Sequence, residues 1–314
     1  MKKIKLGIST CLTGEPVRFD GQHKRDSFLM DNLGRFVEFL PLCPESECGL
    51  PTPRDAMHLV GDVDNPRLVT IKSGEDITPQ MQRWIKPTLQ QLAEAQLSGF
   101  IFKSKSPSSG LYRVKVFTSA NSMPQKKGTG MFASAFIKAF PDIPVEEEGR
   151  LCDPALRECF IDKVSAYSEL QDLMNETHLK RGDLTDFHAA YKYCIMAHNS
   201  AQVSKLGHLL ASSTERVENI ALEYRAALMR ALSTTATRRK HTNVLDHISG
   251  YFKQELSSIE KRELHEVIEG FHDGIYPLLA PLVLLRHYAL IYDNKYLLAQ
   301  RYLNPGILQL NCRF

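Results

Sequence analysis

The sequence of 314 residues lacks any apolar run close to the roughly 20 residues that a membrane-spanning helix needs. The apolar run from Leu278 to Leu285 is short and is interrupted by Pro281. A stretch that resembles a secretory signal is absent, and so are low-complexity tracts. We therefore expect a soluble cytoplasmic protein with no membrane partner.

A strong charge imbalance is also absent. The chain has 39 Lys and Arg residues against 36 Asp and Glu residues, which gives a formal net charge of +3. Residues 1–150 carry 20 Lys and Arg against 17 Asp and Glu, so the whole excess lies in the first half. An excess of this size is too weak to predict nucleic acid binding by itself.

A zinc-ribbon spacing is missing too, although the chain has seven cysteines. They stand at positions 11, 43, 48, 152, 159, 194 and 312. In a reducing compartment this odd number argues against a disulfide framework, and it favours metal binding or catalysis for cysteines near strand ends. Four residues separate Cys43 from Cys48 and no histidine flanks them, so an iron–sulfur cluster is favoured over zinc.

What the sequence does contain is a change of pattern near residue 150. Strand-like and helix-like segments alternate up to that point, which predicts an α/β fold with an open, mainly parallel, Rossmann-like sheet. Further along, helical apolar spacing continues with few strand signals, which predicts an all-α bundle. We therefore expect an α/β domain over residues 1–152 and a helical domain over residues 153–314. Residues 153–183 are expected to form a helical connector.

The segment from Cys43 to Arg54 combines two thiols and two carboxylates with three prolines. It follows a predicted buried strand, Val37 to Leu42, and its prolines and glycine predict neither helix nor strand. Open α/β sheets build their sites from loops at strand ends. We expect the loops after residues 9, 42 and 103 to meet at one edge of the sheet.

Three cysteines on two of these loops predict a metal site. Cys11, Cys43 and Cys48 would supply thiolates, which prefer soft metals and iron–sulfur clusters. Three cysteines on a cubane cluster leave one iron without a protein ligand, and that iron can act as a Lewis acid. The alternative is that the cysteines are ordinary core thiols and that the nearby carboxylates are solvated.

Three ordered signatures resemble the thiouracil desulfidase (TudS) family over about residues 3–148. They are Ser9-Thr10-Cys11-Leu12-Thr13-Gly14 with Arg18-Phe19-Asp20-Gly21, Cys43-Pro44-Glu45 with Gly49-Leu50-Pro51-Thr52-Pro53-Arg54, and Lys103-Ser104-Lys105-Ser106-Pro107-Ser108-Ser109-Gly110. The remainder is similar to the YbgA-like domain, a helical module of unassigned role. Its marks include Tyr191-Lys192-Tyr193, Met196-Ala197-His198, Arg239-Lys240-His241 and Gly250-Tyr251-Phe252.

The resemblance implies a 4Fe–4S cluster whose open iron takes sulfur from a thiolated uracil, while water replaces the sulfur without net redox chemistry. It implies Cys11 and Cys43 as cluster ligands, Glu45 as the acid/base and Ser106 as a contact to the substrate. The third cysteine of the family corresponds to Ser109, and a hydroxyl cannot simply replace a thiolate. Cys48 is the predicted replacement, which would give the ligand set Cys11, Cys43 and Cys48.

Two functions therefore stay open. The first is a desulfidase-like enzyme that acts on a thiolated nucleobase or a related small molecule by non-redox iron–sulfur chemistry. The second is a cluster-free ligand-binding or interaction protein, in which the basic segment Arg238 to His241 of the helical domain contacts nucleic acid.

Overall fold

The computed structural model describes residues 3–118 and 123–306, which divide into two compact units. The first unit ends at Asp153 and the second begins at Pro154. Within the described ranges, no helix combines the length and the apolar character needed to cross a bilayer. The α/β class predicted for the first half and the helical class predicted for the second are confirmed.

Strands and helices alternate along the first unit. Its strands within the described residues are β1 (Ile4–Ser9), β2 (Val37–Leu42), β3 (Met57–Gly61), β4 (Pro66–Thr70), β5 (Gly99–Phe102), β6 (Val114–Phe117), β7 (Gln125–Gly128) and β8 (Val145–Glu147). Its α-helices are α1 (Pro44–Glu47), α2 (Thr78–Glu94) and α3 (Met131–Ala139). Short 3₁₀ or π turns cover Thr10–Leu12, Phe28–Asn32, Leu33–Arg35 and Arg150–Cys152.

A parallel sheet with strand order β2-β1-β5-β8 positions the loops of interest. The central strands β1 and β5 are rich in fully buried apolar side chains, as expected when both faces of a parallel sheet are covered. Ser9 pairs with Leu42, and Phe102 pairs with Glu147. The carboxyl ends of the strands therefore form one edge, and the predicted meeting of the loops after residues 9, 42 and 103 is confirmed.

A second sheet with order β4-β3-β6-β7 was not anticipated, because the sequence pattern predicts a single sheet. Strands β3 and β6 are parallel, whereas β4 and β7 run antiparallel to their neighbours. Strand β7 consists of Gln125-Lys126-Lys127-Gly128, whose first three side chains are all polar and exposed. Such a strand has no apolar alternation, so it leaves no periodic signal in the sequence.

An aromatic core holds α3 against the parallel sheet. Phe100 stacks on Phe102 with ring centroids 4.1 Å apart, and its ring lies 5.0 Å from that of Phe136 in α3. A Cβ atom at Gly7 of β1 would lie 2.1 Å from the Phe100 ring, so this packing requires glycine there. The amide of Phe132 donates to the carbonyl of Ser108 at 2.9 Å, which ties the start of α3 to the loop after β5.

The segment after β2 forms a single helical turn, α1, so the prediction of an irregular loop is wrong at this point. Pro44 takes the first helical position, where its missing N–H is harmless. Cys43 caps the turn with extended backbone (φ −119°, ψ 97°), and its amide donates to Glu47 Oε1 at 2.7 Å. Gly49 then reverses the chain with φ +98°, a conformation that favours glycine.

The regular secondary structure described in the second unit is all helical. Its helices are α4 (Pro154–Met174), α5 (Arg181–Ser212), α6 (Val217–Leu232), α7 (Arg238–Ser249), α8 (Ser258–His272), α9 (Leu279–Ile291) and α10 (Lys295–Leu298). The long helix α5 breaks at Asn199, whose backbone is extended (φ −154°, ψ 93°). Lys240 Nζ donates to the carbonyl of His198 at 2.7 Å, so a side chain satisfies a carbonyl at this break.

Candidate active site

A pocket of about 380 Å³ lies at the carboxyl edge of the parallel sheet. The loops after β1, β2 and β5 border it, because these neighbouring strands all end there. The predicted site residues Cys11, Cys43, Glu45 and Ser106 all line this pocket, and so does Ser109. The structure therefore brings side chains from three separate stretches of sequence to one cavity.

Glu45 is held on the pocket wall by Arg54. The Glu45 Oε2 atom accepts hydrogen bonds from Arg54 Nε, at 2.9 Å, and from Arg54 Nη2. The guanidinium also donates to the carbonyl of Val17 at 2.8 Å and to the carbonyl of Pro51 at 3.2 Å. Because the Arg54 side chain is 4% exposed and satisfied by several acceptors, it fixes one oxygen of the carboxylate.

Hydroxyl groups of the loop after β5 contact the other oxygen of this carboxylate. Ser108 Oγ donates to Glu45 Oε1 at 2.9 Å, and Ser106 Oγ lies 3.4 Å from the same atom. Ser106 Oγ accepts hydrogen bonds from the amides of Ser108 and Ser109, at 3.3 and 3.2 Å. The loop thus holds Ser106 by backbone amides. Of the two hydroxyl contacts to Glu45 Oε1, that of Ser106 is longer than that of Ser108.

Cys11 lies at the base of the pocket on the 3₁₀ turn after β1, where it is 9% exposed. Burial raises the pKa of its thiol to about 11, although the charge of Lys103 acts in the opposite direction. Lys103 also lines the pocket, and its ammonium forms a buried ion pair with Glu148. The amide of Ser104 donates to Glu148 Oε2 at 2.7 Å. Cys11 is therefore a protonated thiol at neutral pH when no metal or base contacts it.

Cys43 and Cys48 lie at opposite ends of α1 and face different surroundings. Cys43 lines the pocket, with its sulfur 3.4 Å from Ser46 Oγ. Cys48 is not among the described residues that line the pocket. Its sulfur lies 3.2 Å from the backbone carbonyl of Glu45, and its side chain packs against the apolar core of the unit. Cys43 precedes the turn with extended backbone and Cys48 follows it at the other end, so the two side chains leave α1 in different directions.

The basic segment of the helical unit is partly committed to internal contacts. Lys240 donates to the carbonyls of His198 and Thr235, and His241 is 3% exposed with its Nδ1 atom 2.9 Å from the hydroxyl of Tyr302. Arg238 lies over the ring of Phe271, 6.0 Å from its centroid. The prediction that this segment contacts nucleic acid stays a prediction.

Comparisons with known proteins agree with the two units. Residues 6–148 match the model of the 2-thiouracil desulfurase family, and residues 192–306 match that of DUF1722, a family of unknown function. The uncharacterized protein YbgA of Escherichia coli (strain K12) is 36% identical over 152 residues, which cover 47% of this chain and 89% of YbgA. The chain belongs to the family of YbgA, and its first unit matches the 2-thiouracil desulfurase family over nearly its whole length. The resemblances expected from the sequence motifs are confirmed.

The chain is also similar to a solved structure, the 4Fe–4S-dependent thiouracil desulfidase TudS. The two share 31% identity with a TM-score of 0.41, over 49% of this chain and 97% of that chain.

The pocket of the desulfurase-family unit does not offer three thiolates. A cubane cluster is held by cysteine thiolates, and one with a single open iron needs three of them. Among the described residues, the thiols on the pocket wall are those of Cys11 and Cys43, whereas Ser109 presents a hydroxyl. No group of three or more His, Cys, Asp or Glu side chains in the described ranges could hold a metal ion. These residues do not fit a cluster held by three cysteines, and Cys312 lies outside the described residues.

The ligand role of Cys48 stays a prediction. To serve as the third ligand, its sulfur would have to leave the contacts that it makes with the Glu45 carbonyl and with the apolar core.

Sequence reasoning assigned no role to several polar residues of this site. Arg54 and Ser108 stood inside the quoted motifs, but nothing in their spacing indicated that both would contact Glu45. Lys103 and Glu148 are 45 residues apart and meet because β5 and β8 are neighbours in the sheet. The structure buries all three carboxylates of the run Glu146 to Glu148, and each therefore requires a partner.

Proposed function

We propose that the desulfurase-family unit removes sulfur from a thiolated nucleobase or a related small molecule that binds in the pocket. Membership of the 2-thiouracil desulfurase family supports a thiolated uracil as the substrate class. The observation that carries the proposal is the Glu45 carboxylate, fixed by Arg54 beside the thiols of Cys11 and Cys43. A cavity of about 380 Å³ also lies in the range of small-molecule sites.

The net reaction is a substitution without redox change. A thiocarbonyl and water give a carbonyl and hydrogen sulfide, so the C–S bond breaks and a C–O bond forms. Over the whole reaction water must lose both of its protons, one as it adds and one as the carbonyl forms, and the departing sulfur must gain both, which a single acid–base group can relay one at a time. We assign that relay to Glu45.

Ser106 is assigned to the substrate. Its hydroxyl makes the longer contact to Glu45, at 3.4 Å, and can therefore turn to a substrate atom at little cost. Ser108 and Arg54 would keep the carboxylate in place while that happens.

The iron–sulfur form of this proposal requires a third thiolate at the pocket. The sequence predicts Cys11, Cys43 and Cys48 as the ligands, whereas the thiols that line the pocket among the described residues are those of Cys11 and Cys43. The acid–base assignment to Glu45 does not depend on that ligand.

Turnover assays of 2-thiouracil and 4-thiouracil test the proposal, with sulfide release and loss of thiocarbonyl absorbance as readouts. Protein is assayed both as purified and after anaerobic treatment with iron and sulfide. Glu45→Gln should lower kcat about 10²–10⁴-fold, because the isosteric amide cannot relay a proton. Glu38→Gln, at an exposed position of β2, serves as the matched control and should retain full activity. If neither preparation releases sulfide from either base, the proposal is wrong.

A second candidate function, binding of a nucleic acid strand, is favoured by a groove beside the pocket. This basic groove has a volume of about 1260 Å³ and shares Met57, Ser104, Lys105 and Pro107 with the pocket wall. Its exposed cations are Lys105, Arg113, Lys115, Lys126, Lys127 and Arg150. A groove lined by cations next to a nucleobase-sized pocket suits a phosphate backbone.

The cations of the basic groove have little counter-charge. Lys115 of β6 lies directly opposite Lys126 of β7, and like charges in that position destabilise a sheet. Arg150 pairs with Glu146, but the other five cations form no ion pair with a described residue. Glu147 lines the groove, yet its Oε1 atom accepts hydrogen bonds from two backbone amides. An anionic ligand would offset this repulsion.

Fluorescence anisotropy with a labelled single-stranded RNA of ten uridines tests this second function. Replacing both Lys126 and Lys127 by glutamate should weaken binding at least about tenfold and reduce the salt dependence by about one to two released counterions. The control replaces Lys86 and Lys138, which are exposed on α2 and α3, by glutamate. Equal affinities of the two double variants would contradict a role for the groove.

A further inference from the structure

Each of the three loops at the carboxyl edge places a thiol or a hydroxyl in the pocket. Cys11 comes from the loop after β1, Cys43 from the end of β2, and Ser109 from the loop after β5. This arrangement follows from the strand order, in which β2, β1 and β5 are neighbours. Three donors from three adjacent strand ends surround one cavity without any change in the backbone.

The position of Ser109 is fixed by its neighbours. The residue is 4% exposed, and its amide donates to Ser106 Oγ at 3.2 Å. Its hydroxyl lies 3.4 Å from that of Ser108. A Cβ atom at Gly130 would lie 2.6–2.7 Å from backbone atoms of Ser108 and Ser109, so the start of α3 packs directly against this part of the loop. The backbone at residue 109 therefore has little room to move aside.

Cys48 cannot supply the missing thiolate without rearrangement. Its amide donates to the carbonyl of Pro44 at 3.1 Å, and Gln80 donates to its carbonyl at 2.8 Å. The first contact closes the turn of α1, and the second holds the end of α1 against α2, with the Cys48 side chain against the apolar core. Bringing this sulfur to the pocket would unwind α1, which also carries Glu45.

We infer that residue 109 decides the metal state of the pocket, and that with serine there the chain does not retain a 4Fe–4S cluster. Two thiolates would leave two irons of a cubane without protein ligands, and a serine hydroxyl is a hard donor with a far higher pKa than a thiol. A thiol at position 109 would complete a set of three soft donors at neighbouring strand ends. The inference concerns the same pocket as the proposed function, but it does not require that the pocket turn over a substrate.

Anaerobic reconstitution of the full chain with iron and sulfide tests the inference without an activity assay. Iron and acid-labile sulfide per chain are measured after gel filtration, together with the visible charge-transfer absorbance. The parent should retain less than about one iron, whereas Ser109→Cys should retain about four irons and four sulfides. Cys48→Ser in the Ser109→Cys background should leave that content unchanged.

Ser104→Cys is the matched control, because Ser104 lines the same pocket on the same loop but directs its hydroxyl to Glu148 Oε1 at 2.8 Å. It should gain no cluster. A parent protein with about four irons would overturn the inference, whether or not Cys48→Ser removes them. If Ser104→Cys gained as much iron and sulfide as Ser109→Cys, the inference would be overturned as well, since the position of the added cysteine would then not matter. Thiouracil turnover is measured separately, so failure of the proposed function and failure of this inference give different results.

Discussion

The ion pair of Glu45 with Arg54 and the ion pair of His198 with Asp162 are both buried, yet they face different surroundings. Glu45 lies on the wall of a cavity, with two hydroxyls on its second oxygen and two thiols nearby. His198 is 0% exposed and Asp162 is 2% exposed inside the helical unit. One pair is open to a ligand and the other is enclosed by protein.

The enclosed pair has its hydrogen bonds saturated by protein groups. His198 Nδ1 lies 2.7 Å from the carbonyl of Thr234, and Nε2 lies 3.1 Å from Asp162 Oδ2. Both partners are acceptors, so both ring nitrogens donate and the imidazole carries a positive charge. This contact joins α4 to α5 at the break of α5 and to the chain after α6.

The difference between the two pairs shows that a buried charge does not by itself indicate a functional site. A buried ion pair costs desolvation in either setting, and geometry must offset that cost. In the helical unit the pair offsets its desolvation cost by holding the broken helix α5 to its neighbours. In the desulfurase-family unit the carboxylate lies on the wall of a cavity and its second oxygen is contacted by hydroxyls that can turn to a ligand, which is the property that acid–base chemistry needs.

The largest expected effect comes from breaking the enclosed pair. Asp162→Ala should destabilise the helical unit by about 3–5 kcal/mol, because it leaves the His198 charge buried without its carboxylate. Urea unfolding followed by far-UV circular dichroism measures this loss. The single tryptophan, Trp84 in α2, reports the first unit by fluorescence, and its transition should stay in place. Asp186→Ala, at an exposed position of α5, is the control; an unchanged dichroism midpoint in Asp162→Ala would contradict the prediction.

The second effect is a pH dependence of the same unit. Burial opposes protonation of His198, but its hydrogen bonds to Asp162 and Cys159 outweigh burial and raise the pKa to about 9. Because the pKa is higher in the folded state, the contribution is complete below about pH 6.5 and is lost as the pH rises through about 9. The loss should be on the order of 3 kcal/mol, seen as a falling urea midpoint by circular dichroism. A midpoint that is flat or rises over this range would contradict the assignment, and Asp162→Ala should remove most of the dependence.

The smallest of the three effects concerns the pair at the pocket, Glu45 with Arg54. Arg54→Lys should lower kcat/KM for a thiolated base by about 10–150-fold, because an ammonium cannot hold Glu45 Oε2 by the two donors Nε and Nη2. The control is Arg67→Lys, since Arg67 forms an exposed pair with Asp76 at 3.5 Å and should tolerate lysine. If the unfolding midpoint reported by Trp84 fluorescence stays close to that of the parent, the lost activity comes from a misplaced Glu45 carboxylate and not from a destabilised unit. An Arg54→Lys enzyme as active as the parent would exclude that role for Arg54.

Several features of the site could be read from local sequence. The strand Val37–Leu42 is an apolar run that ends at Cys43, and the loops after β1 and β5 likewise follow apolar runs that end in polar residues. A parallel arrangement of such strands predicts one shared edge, which is how Cys11, Cys43, Glu45 and Ser106 were expected to meet. The second sheet and the turn α1 were missed, because exposed lysines and a proline-rich segment mask their periodicity.

By itself, the sequence determined the families of the two halves, the class of each unit and the donors available to the pocket, because these depend on local patterns and residue identity. Tertiary structure alone decided which donors face the pocket. The turn α1 directed Cys48 to the apolar core, and strand order brought Ser109 to the pocket that Cys11 lines. The tertiary structure also joined Arg54 to Glu45 and His198 to Asp162. Such contacts depend on how helices and strands pack, and residue spacing does not carry that information.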